Sequence, residues 1–422
     1  MAALTGYRFL GDYRSDEAQY MTLMNAGVTF ARAQQLRPGI ALSAAQVAQL
    51  TSDIVWMVTQ TVTLPDGSTT SALVPQVYLA PKAGDLAANG HLFGGPGAAQ
   101  GSLISARDIQ MALSGDLNNS GSIAGRQLVD ISAQNIGNSG LIQGDGVALK
   151  ARQDIHINGG QVQGAAAAVA TAGGDLNISS TTTTSPSGSS NTAGANRFSQ
   201  QGIDRVAGLY VSGPAGVLLA SAGGDIKLTA AQVRNAGSGA TQLKAGGDVK
   251  LNTVEVGRSA DINWNANNYL RQSSSQEVGS QVSAGGALSI EAGQNIALRA
   301  AEVNAQGALD VKAGAQVLIE AGQSSASLAE GRQSKSSGFL SSKTTTTRSS
   351  SETTTAQASE LGGQTVSITS GGDTRISGSK VLADQGLDIT AGGQLSIEAA
   401  QNTTTSACLG NSAVSLSAHL FN

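Results

Sequence analysis

The sequence contains few of the residues from which compact enzymes and disulfide-stabilised domains are built. Its 422 residues include one cysteine, 3% aromatic residues and 13% charged residues. The single cysteine, Cys408, excludes an intrachain disulfide framework and a cysteine-based zinc site. Large cores usually depend on aromatic side chains, which are scarce in this long chain. The composition therefore disfavours one large globular domain.

Charge and hydrophobicity exclude further classes. The formal net charge is −4 and no Lys/Arg cluster is present, so we expect no nucleic-acid partner. No run of about 18 apolar residues is present, which excludes a transmembrane helix. The N-terminus lacks a basic region followed by an apolar core and is not a signal peptide. Because the last repeats also lack an evident polar cap, we interpret the chain as a fragment of a longer protein.

The sequence has instead a short repeat of alternating apolar residues. Between Leu361 and Gln401 the pairs are Val366/Ile368, Thr374/Ile376, Leu387/Ile389 and Leu395/Ile397. Their second members are 8, 13 and 8 residues apart, and residues 288–319 repeat these steps from Leu288/Ile290 onward. A period near 20 residues between Gly-rich corners predicts an all-β fold, a parallel β-helix in which stacked rungs bury one another's apolar side chains.

The repeat defines the predicted domain organisation. We expect a small α+β element at 1–80, a Gly/Ala-rich connector at 81–102, β-helix repeats at 103–401 and an irregular tail at 402–422. Two Ser/Thr-rich insertions, at 179–201 and 323–359, interrupt the repeats. Such segments bury too little apolar surface to fold independently, and they are either loops on one face or strands along a rung edge.

The N-terminal element contains mixed signals. Ser15 can cap a first helix, and Ser43–Gln46 matches a capping box that opens a second. Asp53–Val58 is consistent with either a helix or a buried strand. A turn sequence between Thr61–Leu64 and Leu73–Leu79 predicts a hairpin.

Two corner motifs recur within the repeats. An Asn-rich motif occupies residues 116–125, 135–144 and 154–164, where an inward Asn can stack on the Asn of the next rung. The second motif is Ala-Gly-Gly-Asp followed by an alternating apolar pair. Its aspartates recur at corners; they are Asp175, Asp225, Asp248 and Asp373. They suggest either a Ca²⁺ array or hydrogen bonding to turn backbone, and their irregular spacing favours the backbone role.

Three stretches together resemble one known family. They are QLTSDIVWMVTQTVTLPDG…ALVPQVYLA (49–80), SGDLNNSGSIAGRQLVDIS (114–132) and GFLSSKTTTTRSSSETTTAQASELGGQTVSITSGGD (338–373). The chain resembles, to about residue 406, the haemagglutinin-repeat region of bacterial two-partner-secretion exoproteins. Filamentous haemagglutinin and the contact-dependent growth inhibition effectors belong to this group.

The resemblance implies a right-handed β-helical filament that is secreted to the bacterial cell surface through an outer-membrane β-barrel transporter. Such filaments act in adhesion or carry a C-terminal toxin toward a receptor or glycan on a host or neighbouring cell. The chain departs from a complete member because nothing in it resembles a signal, a secretion-recognition domain or a toxin module. Any toxin activity is therefore expected to belong to other segments.

Isolated reactive residues do not indicate a catalytic or metal site. His91, His156 and His419 lack metal-binding spacing, and Cys408 has no His or acidic partner nearby in sequence. We therefore predict no catalytic, cofactor-binding or metal-binding residue. The alternating Ile155 and Ile157 place His156 on the opposite, outward face.

Two hypotheses for the function follow. The first is a non-enzymatic structural segment of a surface filament that projects an adhesive or toxin-bearing tip. The alternative is a glycan-binding or glycan-cleaving β-helix. For this alternative the aromatic–polar cluster that contains Trp264 and Tyr269 is the candidate glycan or partner contact.

Overall fold

The computed structural model describes residues 15–33, 36–42, 50, 52, 54–63, 69–78, 102–191, 194–338 and 341–416. The chain divides into two compact units, residues 1–103 and 104–422. Except for Ser102, the predicted connector at 81–102 lies outside the described residues. The predicted helix from Ser43 and the turn after Thr63 also lie outside them.

The first unit contains one described helix and one hairpin. Helix α1, Asp16–Ala33, begins at Ser15, whose Oγ accepts a hydrogen bond from the Ala18 N–H at 3.1 Å. Strands β1, Ile54–Thr63, and β2, Thr69–Tyr78, pair antiparallel from Ile54–Tyr78 to Thr63–Thr69. The predicted helix and hairpin are confirmed, and the ambiguous segment before Thr59 is a strand.

The second unit is a parallel β-helix, as predicted. Each turn of the chain, called a rung below, crosses three faces. Face 1 is a ten-stranded parallel sheet of short strands. In rung order these are β4 Leu117–Asn119, β6 Ile136–Asn138, β8 Ile155–Asn158, β10 Leu176–Ser179, β15 Ile226–Thr229, β18 Val249–Asn252, β23 Ile296–Arg299, β26 Val317–Glu320, β30 Thr374–Ser377 and β32 Leu395–Glu398. Rungs 1 to 10 are numbered by these strands.

Faces 2 and 3 belong to a second parallel sheet. In some rungs one long strand crosses both faces. Strand β9, Gln161–Ala172, does so by pairing with both β13, Gly208–Val211, and β14, Val217–Ala222. The long strands are β3 Leu103–Ala112, β5 Ser122–Ala133, β7 Leu141–Ala151, β9 Gln161–Ala172, β29 Glu360–Ser370 and β31 Lys380–Ala391. In the other rungs face 2 has β13 Gly208–Val211, β16 Gln232–Asn235, β21 Gln281–Ala284 and β24 Glu302–Ala305. Face 3 there has β14 Val217–Ala222, β17 Thr241–Ala245, β22 Leu288–Ala292 and β25 Ala308–Ala313.

The core consists of the alternating apolar residues that the repeat predicts. Ile290 is fully buried and pairs in register with Leu243 of the preceding rung and Val311 of the next. Each inward side chain therefore packs on similar side chains above and below it. The pairs of the last rungs differ, since Leu395 and Ile397 stay exposed in β32, the terminal strand of the described face-1 sheet.

The sequence insertions form a third sheet. Its seven antiparallel strands have the spatial order β11–β12–β19–β20–β27–β28–β33. They are β11 Thr181–Asn191, β12 Gly194–Arg205, β19 Val254–Asn265, β20 Asn268–Val278, β27 Gly322–Ser337, β28 Ser341–Gln357 and β33 Thr403–Leu416. We call this the lateral sheet. The two Ser/Thr-rich insertions, for which the sequence allows either loops or strands, are therefore strands.

Two predictions need correction here. The repeats predicted at 103–401 include the segment from Val254 to Val278, but this segment is an inserted hairpin. The tail predicted to be irregular from residue 402 contains β33, whose residues pair with β28 from Thr354–Thr403 to Ser341–Leu416. In both segments Ser, Thr and Asn provide cross-strand partners, so pairing with a neighbouring hairpin replaces burial of an apolar face as the source of order.

The corner between faces 1 and 2 alternates between two solutions. In rungs 3, 5, 7 and 9 the chain turns within a few residues through a left-handed backbone. The residues with positive φ are Gly159 at 64°, Ala230 at 46°, Ala300 at 44° and Gly378 at 56°. In rungs 4, 6, 8 and 10 the same corner leads into a lateral strand. Alanine in this conformation is strained by about 1–2 kcal/mol.

Replacing Ala300 by glycine should therefore stabilise the β-helix. Glycine removes the strain, although its greater freedom in the unfolded chain offsets about 0.5–1 kcal/mol. We expect a net gain of up to about 1 kcal/mol in the free energy of unfolding, measured by denaturant titration. Ala301→Gly is the matched control, because Ala301 is buried and has no positive φ. It should destabilise, and a loss of stability in Ala300→Gly would contradict the proposed strain.

Candidate functional surfaces

The lateral sheet fits the rungs because two spacings agree. Hairpins leave after rungs 4, 6 and 8, and β33 leaves after rung 10, so two rungs separate successive insertions. A hairpin has two strands, and hydrogen-bonded strands in either sheet are about 4.8 Å apart. Two rungs and one hairpin therefore occupy the same length. This match allows separate hairpins to pair into one continuous sheet.

Serine side chains connect neighbouring hairpins directly. Between β20 and β27, Ser273 Oγ lies 2.7 Å from Ser327 Oγ, and Ser275 Oγ lies 2.9 Å from Ser325 Oγ. Backbone pairing covers the same interval, from Tyr269–Gly331 to Gln276–Ser324. The Ser/Thr composition thus provides cross-strand hydrogen bonds where an apolar face is absent.

Buried serines close the rungs from which hairpins emerge. Ser280 is fully buried, and its Oγ accepts the Ala231 N–H at 3.1 Å and donates to the Asn252 carbonyl at 3.2 Å. Ser359 is fully buried in the equivalent place, where it accepts the Ala301 N–H at 3.0 Å and donates to the Glu320 carbonyl at 2.6 Å. These hydroxyls satisfy backbone groups that the interruption would leave unpaired.

Sequence reasoning missed these serines, although the sequence contains a signal. Ser280-Gln-Val aligns with Ala231-Gln-Val one rung earlier, and Ser359-Glu-Leu aligns with Ala301-Glu-Val. In both cases serine replaces alanine at the second residue after a hairpin. At the first hairpin the buried hydroxyl belongs to Ser180, which precedes β11, accepts the Ala207 N–H at 3.0 Å and donates to the Ala230 carbonyl at 2.6 Å.

A ladder of side-chain oxygens runs along the corner between faces 3 and 1. At each step the Oδ1 atom accepts the backbone N–H of the equivalent residue in the next rung, at 2.7–3.2 Å. The acceptors are Asp116, Asn135, Asp154, Asp175, Asp225, Asp248 and Asn295. Asp373 binds the Gln394 N–H in the same way at 2.8 Å. Backbone hydrogen bonding was predicted for these aspartates, but the bonds run between rungs rather than within one turn.

Lysines neutralise three neighbouring carboxylates of this ladder, those of Asp175, Asp225 and Asp248. Lys227 Nζ lies 3.1 Å from both Asp175 Oδ2 and Asp225 Oδ2, and Lys250 Nζ lies 2.7 Å from Asp248 Oδ2. The backbone hydrogen bond from Asp225 lowers the pKa of Asp175, and the hydrogen bond from Lys250 lowers that of Asp248. The hydrogen bond to Asp175 raises the pKa of Lys227. Within the described ranges no group of three or more acidic, His or Cys residues could hold a metal ion.

A second ladder of alternating charge continues along the later rungs. Arg299 binds Glu277 through two nitrogens at 2.8 and 2.9 Å and lies 3.8 Å from Glu320. Arg375 lies 3.7 Å from Glu320 and 2.8 Å from Glu398. The hydrogen bonds to Glu277 and Glu398 raise the pKa of Arg299 and Arg375, respectively. Opposite charges thus alternate along the stack.

The aromatic residues singled out in the sequence lie at the end of the β19–β20 hairpin, not in a rung. Trp264 sits at an irregularity in the pairing and is 55% exposed. Tyr269 is half-buried, and its ring occupies the space where a Cβ on Gly331 of the neighbouring hairpin would lie. Arg271 Cζ is 4.6 Å from the centre of this ring. Tyr269 thus fills the gap above a glycine in the sheet, and a glycan contact at Trp264 and Tyr269 stays a prediction.

The remaining predicted residues do not form a shared site in the described part of the chain. His156 is exposed on face 1 between the buried Ile155 and Ile157, as predicted, and its Nδ1 lies 3.4 Å from Asn177 Nδ2. Cys408 is an exposed free thiol in β33. His91 and His419 lie outside the described residues.

Comparisons with known proteins agree with this architecture. The family model described as hemagglutinin repeat matches residues 109–195 and 265–413, which is more than half of the chain. The chain belongs to the hemagglutinin-repeat family. No solved structure matches it.

Relatives of this hemagglutinin-repeat chain include three much longer proteins. It is 40% identical over 131 residues to toxin CdiA of Yersinia pestis, covering 31% of the chain and 4% of that protein. It is 33% identical over 235 residues to toxin CdiA of Escherichia coli, covering 54% and 7%. It is 28% identical over 306 residues to tRNA nuclease CdiA of Yersinia mollaretii, covering 70% and 10%. The chain thus spans a tenth or less of each of these relatives.

These matches establish the type of segment. The chain is a structural β-helix segment of the filamentous haemagglutinin and CdiA type. The two matched ranges include β11, β20, β27 and β28 of the lateral sheet. Within the described ranges no helix combines the length and hydropathy needed to cross a membrane.

Removing one acceptor of the corner ladder should weaken the stack. In Asp248→Ala the Asn295 N–H loses its acceptor and Lys250 loses the nearer of its two acidic partners, so we expect a loss of about 1–3 kcal/mol in the free energy of unfolding. Asp248→Asn is the control, because Asn135 and Asn295 already act as ladder acceptors in their own rungs. It should cost less than about 1 kcal/mol. Equal losses in the two variants at pH 7 would contradict the acceptor role.

The same ladder predicts acid sensitivity. The pKa values of Asp175 and Asp248 are lower in the folded than in the unfolded chain, so their stabilising contribution is complete above about pH 4 and is lost as the pH falls below it. Denaturant titrations at several pH values should show this fall in the wild type. In Asp248→Asn the fall should be smaller, and an identical pH profile would argue against the ladder.

The match between rungs and hairpins predicts that single-rung deletions differ by position. Deleting Ile136–Asp154 removes one rung where no hairpin is present and should preserve cooperative thermal unfolding. Deleting Ile226–Asp248 removes the rung that separates the first two hairpin-bearing rungs. The four strands of these two hairpins would then have to fit beside two rungs, a length of about 9.6 Å, which holds only two strands. We expect the second deletion to lower the melting temperature more, because β12 and β19 can no longer pair.

A larger deletion provides the control. Removing Ile226–Asn295 deletes two rungs together with the β19–β20 hairpin and restores the two-rung interval between hairpins. This variant should have a higher melting temperature than the Ile226–Asp248 deletion. Equal melting temperatures for the two single-rung deletions would refute the matching rule.

Proposed function

We propose that this chain is a mechanical spacer in a secreted, cell-surface exoprotein of the filamentous haemagglutinin or contact-dependent growth inhibition type. The spacer holds an adhesive or toxin-bearing tip at a distance from the producing cell and has no catalytic activity of its own. The observation that supports this role most strongly is face 1, in which ten strands stack in parallel with residues of consecutive rungs in register.

The surroundings of the spacer are part of the same proposal. The names of the relatives, toxin and tRNA nuclease, describe proteins of which this chain matches a tenth or less. We assign such activities to other segments of the exoprotein. Export would use the outer-membrane β-barrel transporter of a two-partner system, and the tip would meet a receptor or glycan on a host or neighbouring cell.

The spacer role predicts tolerance to changes in length. In an exoprotein that carries this segment, deletion of Ile136–Asp154 should shorten the stack by one spacing, about 4.8 Å. Surface display and killing of, or adhesion to, target cells should remain near wild-type levels. Both can be measured by antibody labelling and by competition or adhesion assays.

The matched control disrupts the stack without changing its length. Ile290→Asp places an unpaired charge among fully buried side chains and should reduce display. Normal display combined with loss of function in the Ile136–Asp154 deletion would contradict the spacer role. It would show that the deleted rung itself contacts a target or performs a reaction.

A further inference from the structure

A groove runs across five adjacent strands on face 2. Strands β9, β13, β16, β21 and β24 pair in this order, so the groove extends along the stack for about 19 Å. It consists of two adjoining clefts of about 450 and 470 Å³ that share Arg234 and Ala236. We call it the axial groove. It differs in position from the Trp264 hairpin that the sequence suggests.

The outward positions of these strands are rich in side-chain amides. Alternation buries residues such as Val233 and Val282 and turns their neighbours outward. The outward amide residues are Gln161, Gln163, Gln232, Gln281 and Asn304. Amides both donate and accept hydrogen bonds, as do sugar hydroxyls.

The amides form a ladder that retains free hydrogen-bonding capacity. Tyr210 donates to Gln232 Oε1 at 3.2 Å, Gln232 donates to Gln281 Oε1 at 3.1 Å, and Gln281 donates to Glu302 Oε2 at 3.1 Å. Each amide has two N–H groups and two acceptor lone pairs. The ladder uses one N–H of Gln232 and one of Gln281, so each retains a second N–H for a ligand. The ladder also fixes the side chains, which lowers the entropy cost of binding.

Arg234 adds an uncompensated positive charge at the centre of the groove. It lies on the middle strand and is exposed, and its side chain makes no hydrogen bond or ion pair with the described residues. Glu302, which lines the same cleft two strands away, is held by Gln281 and by Asn304, whose Nδ2 donates to its Oε1 at 3.0 Å. A guanidinium matches carboxylate and phosphate groups through two parallel hydrogen bonds.

The half-buried Tyr210 provides an apolar surface beside Arg234. Its ring covers the position where a side chain on Gly208 would lie, and both Tyr210 and Arg234 line the same cleft. Aromatic rings with a polar tip suit ligands that combine apolar and hydroxylated surfaces. The groove therefore places the apolar ring of Tyr210, the cation of Arg234 and a row of side-chain amides next to one another.

We propose that the axial groove binds an acidic polysaccharide, with Arg234 contacting a carboxylate or phosphate group and Gln232 and Gln281 contacting sugar hydroxyls. The extended groove fits several consecutive sugar units of one chain. This role is independent of the spacer function, because it requires a ligand but no change in the stack.

The test is calorimetric titration of the 422-residue chain with three probes. These are an oligogalacturonate, which has carboxylates, a phosphomannan, which has phosphates, and a neutral cello-oligosaccharide. At least one acidic probe should bind, and the neutral probe should bind at least about tenfold more weakly. Binding of one acidic probe but not the other identifies the anionic group. Absence of binding by both acidic probes would overturn the proposal.

Two arginine variants locate the site. Arg234→Gln should weaken binding of the acidic probe by about tenfold or more. Arg348→Gln removes the same charge from an exposed arginine of the lateral sheet and should leave affinity unchanged within about twofold. Equal losses in the two variants would indicate nonspecific attraction and refute the assignment.

A third variant tests the site in the opposite direction. Glu302→Gln removes a negative charge from the cleft that Arg234 also lines, and keeps one side-chain oxygen that can accept from either Gln281 or Asn304. Affinity for the acidic probe should rise by about two- to fivefold, with unchanged circular dichroism and thermal unfolding. A decrease in affinity in this folded variant would contradict binding of an anion in the groove.

Discussion

The β-helical unit depends on one length, the distance between hydrogen-bonded β-strands. The parallel rungs and the antiparallel lateral strands both have it, at about 4.8 Å. Because a hairpin contributes two strands, only an insertion at every second rung can fill a continuous lateral sheet. The insertions after β10, β18, β26 and β32 follow this interval. The inserted segments therefore recur with the rungs, once in every two rungs.

The corners show how the same spacing is maintained at each turn. Rungs 3, 5, 7 and 9 turn through a left-handed residue such as Ala300, while rungs with a hairpin are closed by a buried hydroxyl such as that of Ser280. At the opposite corner each carboxylate or amide binds the backbone of the next rung, and lysines neutralise the charge. Directional hydrogen bonds set the register there, whereas the Val, Ile and Leu core supplies non-directional burial energy.

Apolar periodicity predicts the β-helix because inward positions such as Ile290 and Val311 must recur in every rung. The hairpin that contains Trp264 escapes prediction, since its alternating residues resemble those of a rung strand. The strand from Thr403 has no apolar face, and its partner β28 is distant in sequence. The axial groove also depends on distant residues, because Gln232 and Gln281 are neighbours only through the stacking of rungs. Sequence thus reveals local alternation, but not which insertions meet.

Hydrogen exchange across the β20–β27 junction tests the central claim most directly. If the lateral hairpins form one sheet, backbone N–H groups in the paired segments 269–276 and 324–331 should exchange slowly, close to the rates within each hairpin. If the hairpins are independent projections, N–H groups that face the neighbouring hairpin should exchange as fast as exposed loops. Slow exchange would support the common spacing of rungs and hairpins. Fast exchange at this junction would contradict it.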